Sequence, residues 1–259
     1  MSHFPFVKTV EYREVVTSTS DVAKELVCDA KVALPLLVWA KKQTAGRGRE
    51  GRTWWSDEGS LTFTLVIDPA KHALRAEHEP RLALATAVAV VDALVPVMPG
   101  KAIGIRWPND VEVEGRKLAG ILPERVETLA GPRLLIGVGL NVRTRLADAP
   151  PEIQRLAIAI EELQPDRRAK ADPEHLLRFT LGRFEEVLPA LAANDPALAQ
   201  RWNALDCLAG RWVQVSVGRR IVAGLGLGID ETGGLRLVDL GEQFTIHGGH
   251  ILRDEERSD

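Results

Sequence analysis

The stretch Ile103 to Leu122, IGIRWPNDVEVEGRKLAGIL, decides the fold. Its apolar residues fall into three short β-rich runs, Ile103 to Trp107, Val111 to Val113 and Leu118 to Leu122, and Glu114-Gly115 between the last two reads as a tight turn. That hairpin folds Lys117 back beside the strand carrying Asn109 and Asp110. Outward from it lie further strands at Leu36 to Ala40, Leu61 to Ile67 and Leu134 to Val142. Helical periodicity appears over Ser20 to about Ala30, capped within Ser18-Thr19-Ser20, and again over Arg81 to Leu94, Pro173 to Leu191 and Pro196 to Leu205. Strands grouped with hairpins and flanked by helices predict an α+β fold with a mixed or antiparallel central sheet. The tail changes character: Trp212 to Val217, Ile221 to Ile229, Leu235 to Leu240 and Phe244 to Ile246 are short strands punctuated by Gly218, Gly233-Gly234 and Gly248-Gly249. They predict a small β-barrel domain over 208–259, leaving 1–207 as the larger domain.

Composition narrows the function classes. With 259 residues, 45% apolar, the chain can bury a substantial core. A formal net charge of −3 supplies no field that would hold it on nucleic acid or an anionic membrane, so any bound phosphate must be met locally. Cys28 and Cys207 stand far apart in no redox or metal-ligand spacing, which predicts a reducing, cytoplasmic setting. Residues 1–17 mix charged and apolar side chains without a signal core, and Leu82 to Met98 is too short and too interrupted to span a bilayer, so neither export nor a membrane is expected.

The chemistry concentrates in three places. The loop Gly46-Arg47-Gly48-Arg49-Glu50-Gly51-Arg52 formally matches Gly-x-Gly-x-x-Gly, but it does not open a helix and so fails as a dinucleotide fingerprint. It also lacks the strand lysine of a kinase loop, and no Walker pattern is present. Its glycines admit a ligand close to the backbone and Arg47, Arg49 and Arg52 carry permanent forked charges, so residues 43 to 60 read as a functional loop or hairpin that can close over a phosphate. A solvated Arg-Gly linker or RNA tether is the alternative. The second place is Lys117, which beside a carboxylate stays charged and directed, suiting it to an attacking carboxylate and an α-phosphate; an ordinary hairpin lysine is its alternative. The third is Gly137-Val138-Gly139, where glycines inside a strand mark a ligand lying on the backbone, or curvature. His247 and His250 are spaced as two metal ligands would be, but no further ligands accompany them, and no metal site is assigned.

Taken in order, Ser18-Thr19-Ser20, Gln43-Thr44-Ala45, the Gly-Arg-Gly-Arg loop, Trp54, Trp107-Pro108-Asn109-Asp110, Lys117-Leu118-Ala119-Gly120-Ile121-Leu122 and Gly137-Val138-Gly139-Leu140-Asn141 resemble the biotin-protein ligase family. The resemblance continues through Trp202, Leu205-Asp206 and Gly248-Gly249. It implies a class II synthetase-like catalytic domain with an SH3-like C-terminal barrel. It also implies ATP, Mg2+ and biotin as ligands, and a biotin carboxyl carrier protein as acceptor of biotin on a lysine. Ser18, Thr19, Ser20 and Gln43 would line the biotin pocket above an apolar floor of Gly120, Leu122, Gly137 and Gly139. Gly46, Arg47, Gly48, Arg49, Arg52 and Trp54 would hold the adenylate, with Asn109, Asp110, Lys117 and Asn141 nearby. Lys117, Arg49 and Asn109 would carry the catalysis.

The sequence departs from the family pattern at three points. Ser20 stands for the usual Asn, Glu50 for a common basic residue, and His250 for an acid, and the segment from His250 to Arg253 is one residue short. A lipoate or octanoate ligase or transferase shares the fold and the acyl-transfer logic, and a catalytically inactive ligand-binding relative is the other rival. Only about 17 residues precede Ser18, too few for a DNA-binding domain, so no DNA partner is expected. A monomer or a homodimer is expected.

Overall fold

The computed structural model describes residues Phe4, 6–164 and 171–256. Residues 1–3 and 5 of the N-terminal stretch read for a signal core, and the last three of the expected barrel domain, lie outside the described residues. In chain order the elements are β1 Thr9–Val16, α1 Thr19–Leu26, β2 Leu36–Gln43, β3 Gly46–Arg47, β4 Thr53–Trp54, β5 Ser60–Ile67, α2 Leu82–Leu94, β6 Ile103–Arg106, β7 Asp110–Val113, β8 Arg116–Thr128 and β9 Gly131–Asn141. There follow α3 Pro151–Leu156, α4 Ile160–Leu163, α5 Pro173–Ala192, α6 Pro196–Ala204, β10 Arg211–Val217, β11 Arg220–Ile229, β12 Leu235–Asp239, β13 Glu242–Ile246 and β14 His250–Glu256.

Seven strands form one sheet in the order β1-β2-β5-β9-β8-β7-β6. Only β1 and β2 run parallel; the remaining neighbours are antiparallel, so the sheet is mixed and the fold is α+β, as expected. On one face α2 is apolar except at Thr86 and Asp92 and buried at every position but Asp92, because the sheet covers one side and α5 and α6 the other. Each fully buried Leu or Val there contributes roughly 1.5–3 kcal/mol. On the opposite face α1 packs through Ala23 and Val27 against Leu36, Val38, Val66 and Leu135, and α3 meets β8. The rest of that face stays open. β5 is therefore buried on both sides: Leu61, Phe63, Leu65 and Ile67 join the α2 core, while Thr64 bonds to the start of α1.

The tail forms a five-stranded antiparallel sheet, β13-β12-β11-β10-β14. Its attachment is specific. Residues 205–207 run parallel to β6, with Ile105 N donating to Leu205 O (2.6 Å) and Cys207 N to Ile105 O (2.9 Å). Trp107 Nε1 donates to the Gly233 carbonyl (3.0 Å), and the Arg106 guanidinium pairs with Asp254 of β14. No described helix is long and apolar enough to cross a membrane.

Two strands escape the sequence reading, β1 and β14, and the first helix stops at Leu26 rather than near Ala30. β1 is an edge strand wet along most of its length, so it lacks the alternation that marks a half-buried strand, and β14 ends in a run of charges.

Candidate functional site

The open face of the sheet, the loop after β2 and the edge of the tail sheet enclose a cavity of about 990 Å³. Nearly all the residues singled out in the sequence line it.

Its inner end is polar and neutral. Ser18 caps α1, its Oγ accepting from Ser20 N (3.3 Å), which places Thr19 and Ser20 in the first turn facing the sheet. Gln43 Oε1 accepts from Thr19 N (2.8 Å) and from Thr19 Oγ1 (3.1 Å). Thr64 Oγ1 lies 2.9 Å from Thr19 Oγ1 and 3.2 Å from Ser20 Oγ. Thr64 is completely buried and was not singled out from sequence. The available signal was a pair of threonines, Thr62 and Thr64, inside an otherwise apolar strand.

Beside this end lies a bed of glycines. The β8–β9 register pairs Gly120 with Gly139 and Leu122 with Gly137. The Trp54 indole lies against it: a Cβ on Gly139 would come within 2.3 Å of the ring, and one on Gly120 within 3.1 Å. A Cβ on Gly137 would meet Leu122 O and Ser20 Oγ at 3.3 Å. The glycines in β9 thus mark close approach, and the body approaching Gly139 is the Trp54 indole. The indole Nε1 has no hydrogen-bond partner among the described residues.

The other end is ionic. The hairpin brings Lys117 Nζ to 2.7 Å from Asp110 Oδ1 and 5.6 Å from the centre of the Trp54 ring. Asn141, at the end of β9, donates to the Lys117 carbonyl (3.4 Å) and so steadies its backbone. Asn109 is fixed by Ile121, its Nδ2 donating to Ile121 O (2.8 Å), and its Oδ1 accepts from Arg49 (3.3 Å). Of the loop arginines Arg49 alone reaches the Trp-Pro-Asn-Asp motif. Arg47 pairs with Asp21 (3.0 Å) and Glu124 (3.2 Å), and Arg52 with Glu50 (3.3 Å), where Glu50 takes a left-handed φ of 56°. The loop is a short hairpin of two-residue strands, β3 with β4, closed by Gly48 N donating to Arg52 O (2.7 Å).

Next to the motif sits a second charged group. Burial pushes the Glu112 carboxyl above its ordinary value, against the opposing pull of Arg106. Burial also pushes Asp206 up to about 6 and the Cys207 thiol to about 12. His250 is held below the ordinary imidazole value by burial and then by Arg52, which makes it neutral at pH 7. Among the described residues no three His, Cys, Asp or Glu side chains converge as metal ligands.

Residues 12–141 match the profile of the biotin/lipoate A/B protein ligase family. This chain is a member of that family. Within the family it is 32% identical to the biotin--[acetyl-CoA-carboxylase] ligase of Mycobacterium tuberculosis, over 92% of this chain and 88% of that protein. It is 30% identical to the bifunctional ligase/repressor BirA of Bacillus spizizenii, over 87% of this chain and 68% of that protein. A biotin protein ligase from Aquifex aeolicus, solved in complex with biotin and ATP, superposes with a TM-score of 0.79 at 26% identity, over 96% of this chain and all of that one.

Proposed function

We propose that this family member is a biotin-protein ligase, an enzyme that joins biotin to ATP as biotinyl-adenylate, releases pyrophosphate, and passes the biotin to a lysine of a biotin carboxyl carrier protein. The observation that carries the reading is the polarity of one cavity: neutral hydrogen-bonding groups at one end, glycines between, and directed cations at the other. A small acid with a polar neutral head fits that order.

The residues act as follows. Ser18, Thr19, Ser20 and Gln43 bind the head of biotin, and the strip Gly120, Leu122, Gly137 and Gly139 lets its chain lie on the sheet. Gly46, Arg47, Gly48, Arg49, Arg52 and Trp54 cover the nucleotide. Asp110 and Asn141 hold Lys117 in place at the point where the biotin carboxylate meets the α-phosphate. There its ammonium opposes the charge that develops as pyrophosphate departs. Arg49 is tied to Asn109, so closing the loop and completing the charged end are one event. Magnesium would neutralise the triphosphate; it would arrive on ATP, because the nearby Asp110 is already paired with Lys117 and no described cluster forms a resident cage. Residues 1–207 would form the catalytic unit and 208–259 the SH3-like one. The enzyme would work in the cytoplasm as a monomer or homodimer and without DNA.

Pyrophosphate exchange into ATP tests this directly, with biotin, lipoate and octanoate compared side by side. Exchange that requires biotin and magnesium is expected. Equal or better exchange with lipoate or octanoate would move the chain to the other branch of its family.

A further inference from the structure

Resting on the biotin-ligase reading, we propose that Thr64 is a positioning residue that sets the direction of the hydrogen bonds at the inner end of the cavity, so that Ser20 can only accept from the bound head group.

One donor in the network has a role that is not adjustable. The Thr19 backbone N–H can only donate, so the Gln43 atom 2.8 Å from it is the carbonyl oxygen, and the amide orientation follows. That oxygen has only lone pairs, so at 3.1 Å the Thr19 hydroxyl must give its single proton to it. Thr19 Oγ1 then has only lone pairs for its other neighbour, and Thr64, 2.9 Å away, must donate to it. Thr64 now has no proton left for Ser20, so at 3.2 Å Ser20 donates to Thr64. The chain of bonds runs one way, Ser20 to Thr64 to Thr19 to Gln43.

Two consequences reach the ligand. Ser20 Oγ, which lines the cavity, has its proton committed inward and presents an acceptor to the cavity. Gln43 Nε2, which makes no hydrogen bond among the described residues, presents a donor. A head group that offers an N–H beside a carbonyl satisfies both, as a cyclic urea does. A hydrocarbon or a disulfide ring satisfies neither. Ser20 itself is too short to reach far, and it is Thr64, completely buried, that fixes where its proton goes.

Thr64→Val keeps the volume and removes the relay, while Thr64→Ser keeps the hydroxyl. In Thr64→Val the KM for biotin should rise about tenfold with kcat within threefold of wild type, and Thr64→Ser should restore most of the loss. A merely structural role would lower thermal stability in both variants and move kcat with KM. A second measurement needs no mutant at all: biotin methylated singly at each ureido nitrogen, tested as an inhibitor of exchange by the wild-type enzyme. One of the two should lose at least tenfold, because its N–H faces Ser20, and Ser20→Ala should narrow that difference. If both methylated forms bind within threefold of biotin, or if Thr64→Val leaves KM within threefold, the relay does not set the specificity. Failure of biotin itself to support exchange would instead overturn the assigned reaction.

Discussion

The two ends of the cavity are built on different physics. At the inner end the polar contacts are neutral, buried and made between two strands, β2 and β5, and the first turn of α1: Thr19, Gln43 and Thr64 are each under a tenth exposed. At the outer end the contacts carry charge and are partly wet; Lys117 and Asp110 keep 33% and 23% of their side-chain surface. A neutral, enclosed network selects a ligand by the direction of its hydrogen bonds and is indifferent to pH and salt. Directed charges at a wet rim do little to a ground state and a great deal to a transition state that gains charge. Substitutions at the inner end are therefore expected to move KM, and those at the outer end kcat.

The largest effect is expected at Lys117. Lys117→Ala should slow pyrophosphate exchange on the order of a thousandfold while calorimetry finds biotin binding within threefold of wild type; a rate within threefold would make it an ordinary hairpin lysine. Next is the glycine bed between the ends. Gly139→Ala places a Cβ 2.3 Å from the Trp54 ring, so the indole must move and KM should rise tenfold or more, on the order expected for overpacking. Gly120→Ala, at 3.1 Å, should cost visibly less. Equal effects at both positions would mean that Trp54 does not rest on the bed when ligands bind.

Arg49 should matter for holding the intermediate more than for making it. A charged hydrogen bond contributes about 1.5–3 kcal/mol, enough to shift a mobile glycine loop from mostly closed to mostly open. Arg49→Gly should therefore form adenylate but release it, labelling a non-acceptor protein several-fold more than wild type. Normal adenylate formation with no added labelling would exclude this caging role. The smallest effect concerns Asp206. It is held protonated up to about 6 in the folded chain and releases its proton near 3.8 when unfolded, so between those values the native state carries more protons. Stability from this group accordingly falls as pH rises through that window. Asp206→Asn should flatten the slope of denaturation midpoint against pH there, and an unchanged slope would show that Asp206 does not titrate so high.

Much of this was legible in the sequence, for reasons that also explain what was not. The hairpin that pairs Lys117 with Asp110 could be read because turn chemistry at Glu114-Gly115 is local. The Gly-Arg-Gly-Arg segment could be read as a loop or hairpin from its glycines, but strands of two residues each leave no periodicity that would fix the register. Thr64 was missed because β5 is covered on both faces, where a hydroxyl looks like one more β-branched core residue. The pairing of Arg47 was missed because its carboxylate partners, Asp21 and Glu124, stand far from it in sequence. The pairing of Arg106 with Asp254 spans 148 positions and was beyond any local pattern.

That last contact changes what the tail is. β6 receives a neighbouring strand from the linker, the Trp107 indole N–H is answered by Gly233, and Arg106 finds in Asp254 the counterion that balances it beside Glu112. Cutting the chain after residue 207 would expose a cation and an indole donor at the edge of the strand that leads into Asn109 and Asp110. The tail sheet is thus the outer wall of the charged chamber, and a shortened protein would be a damaged catalyst before it was a smaller one.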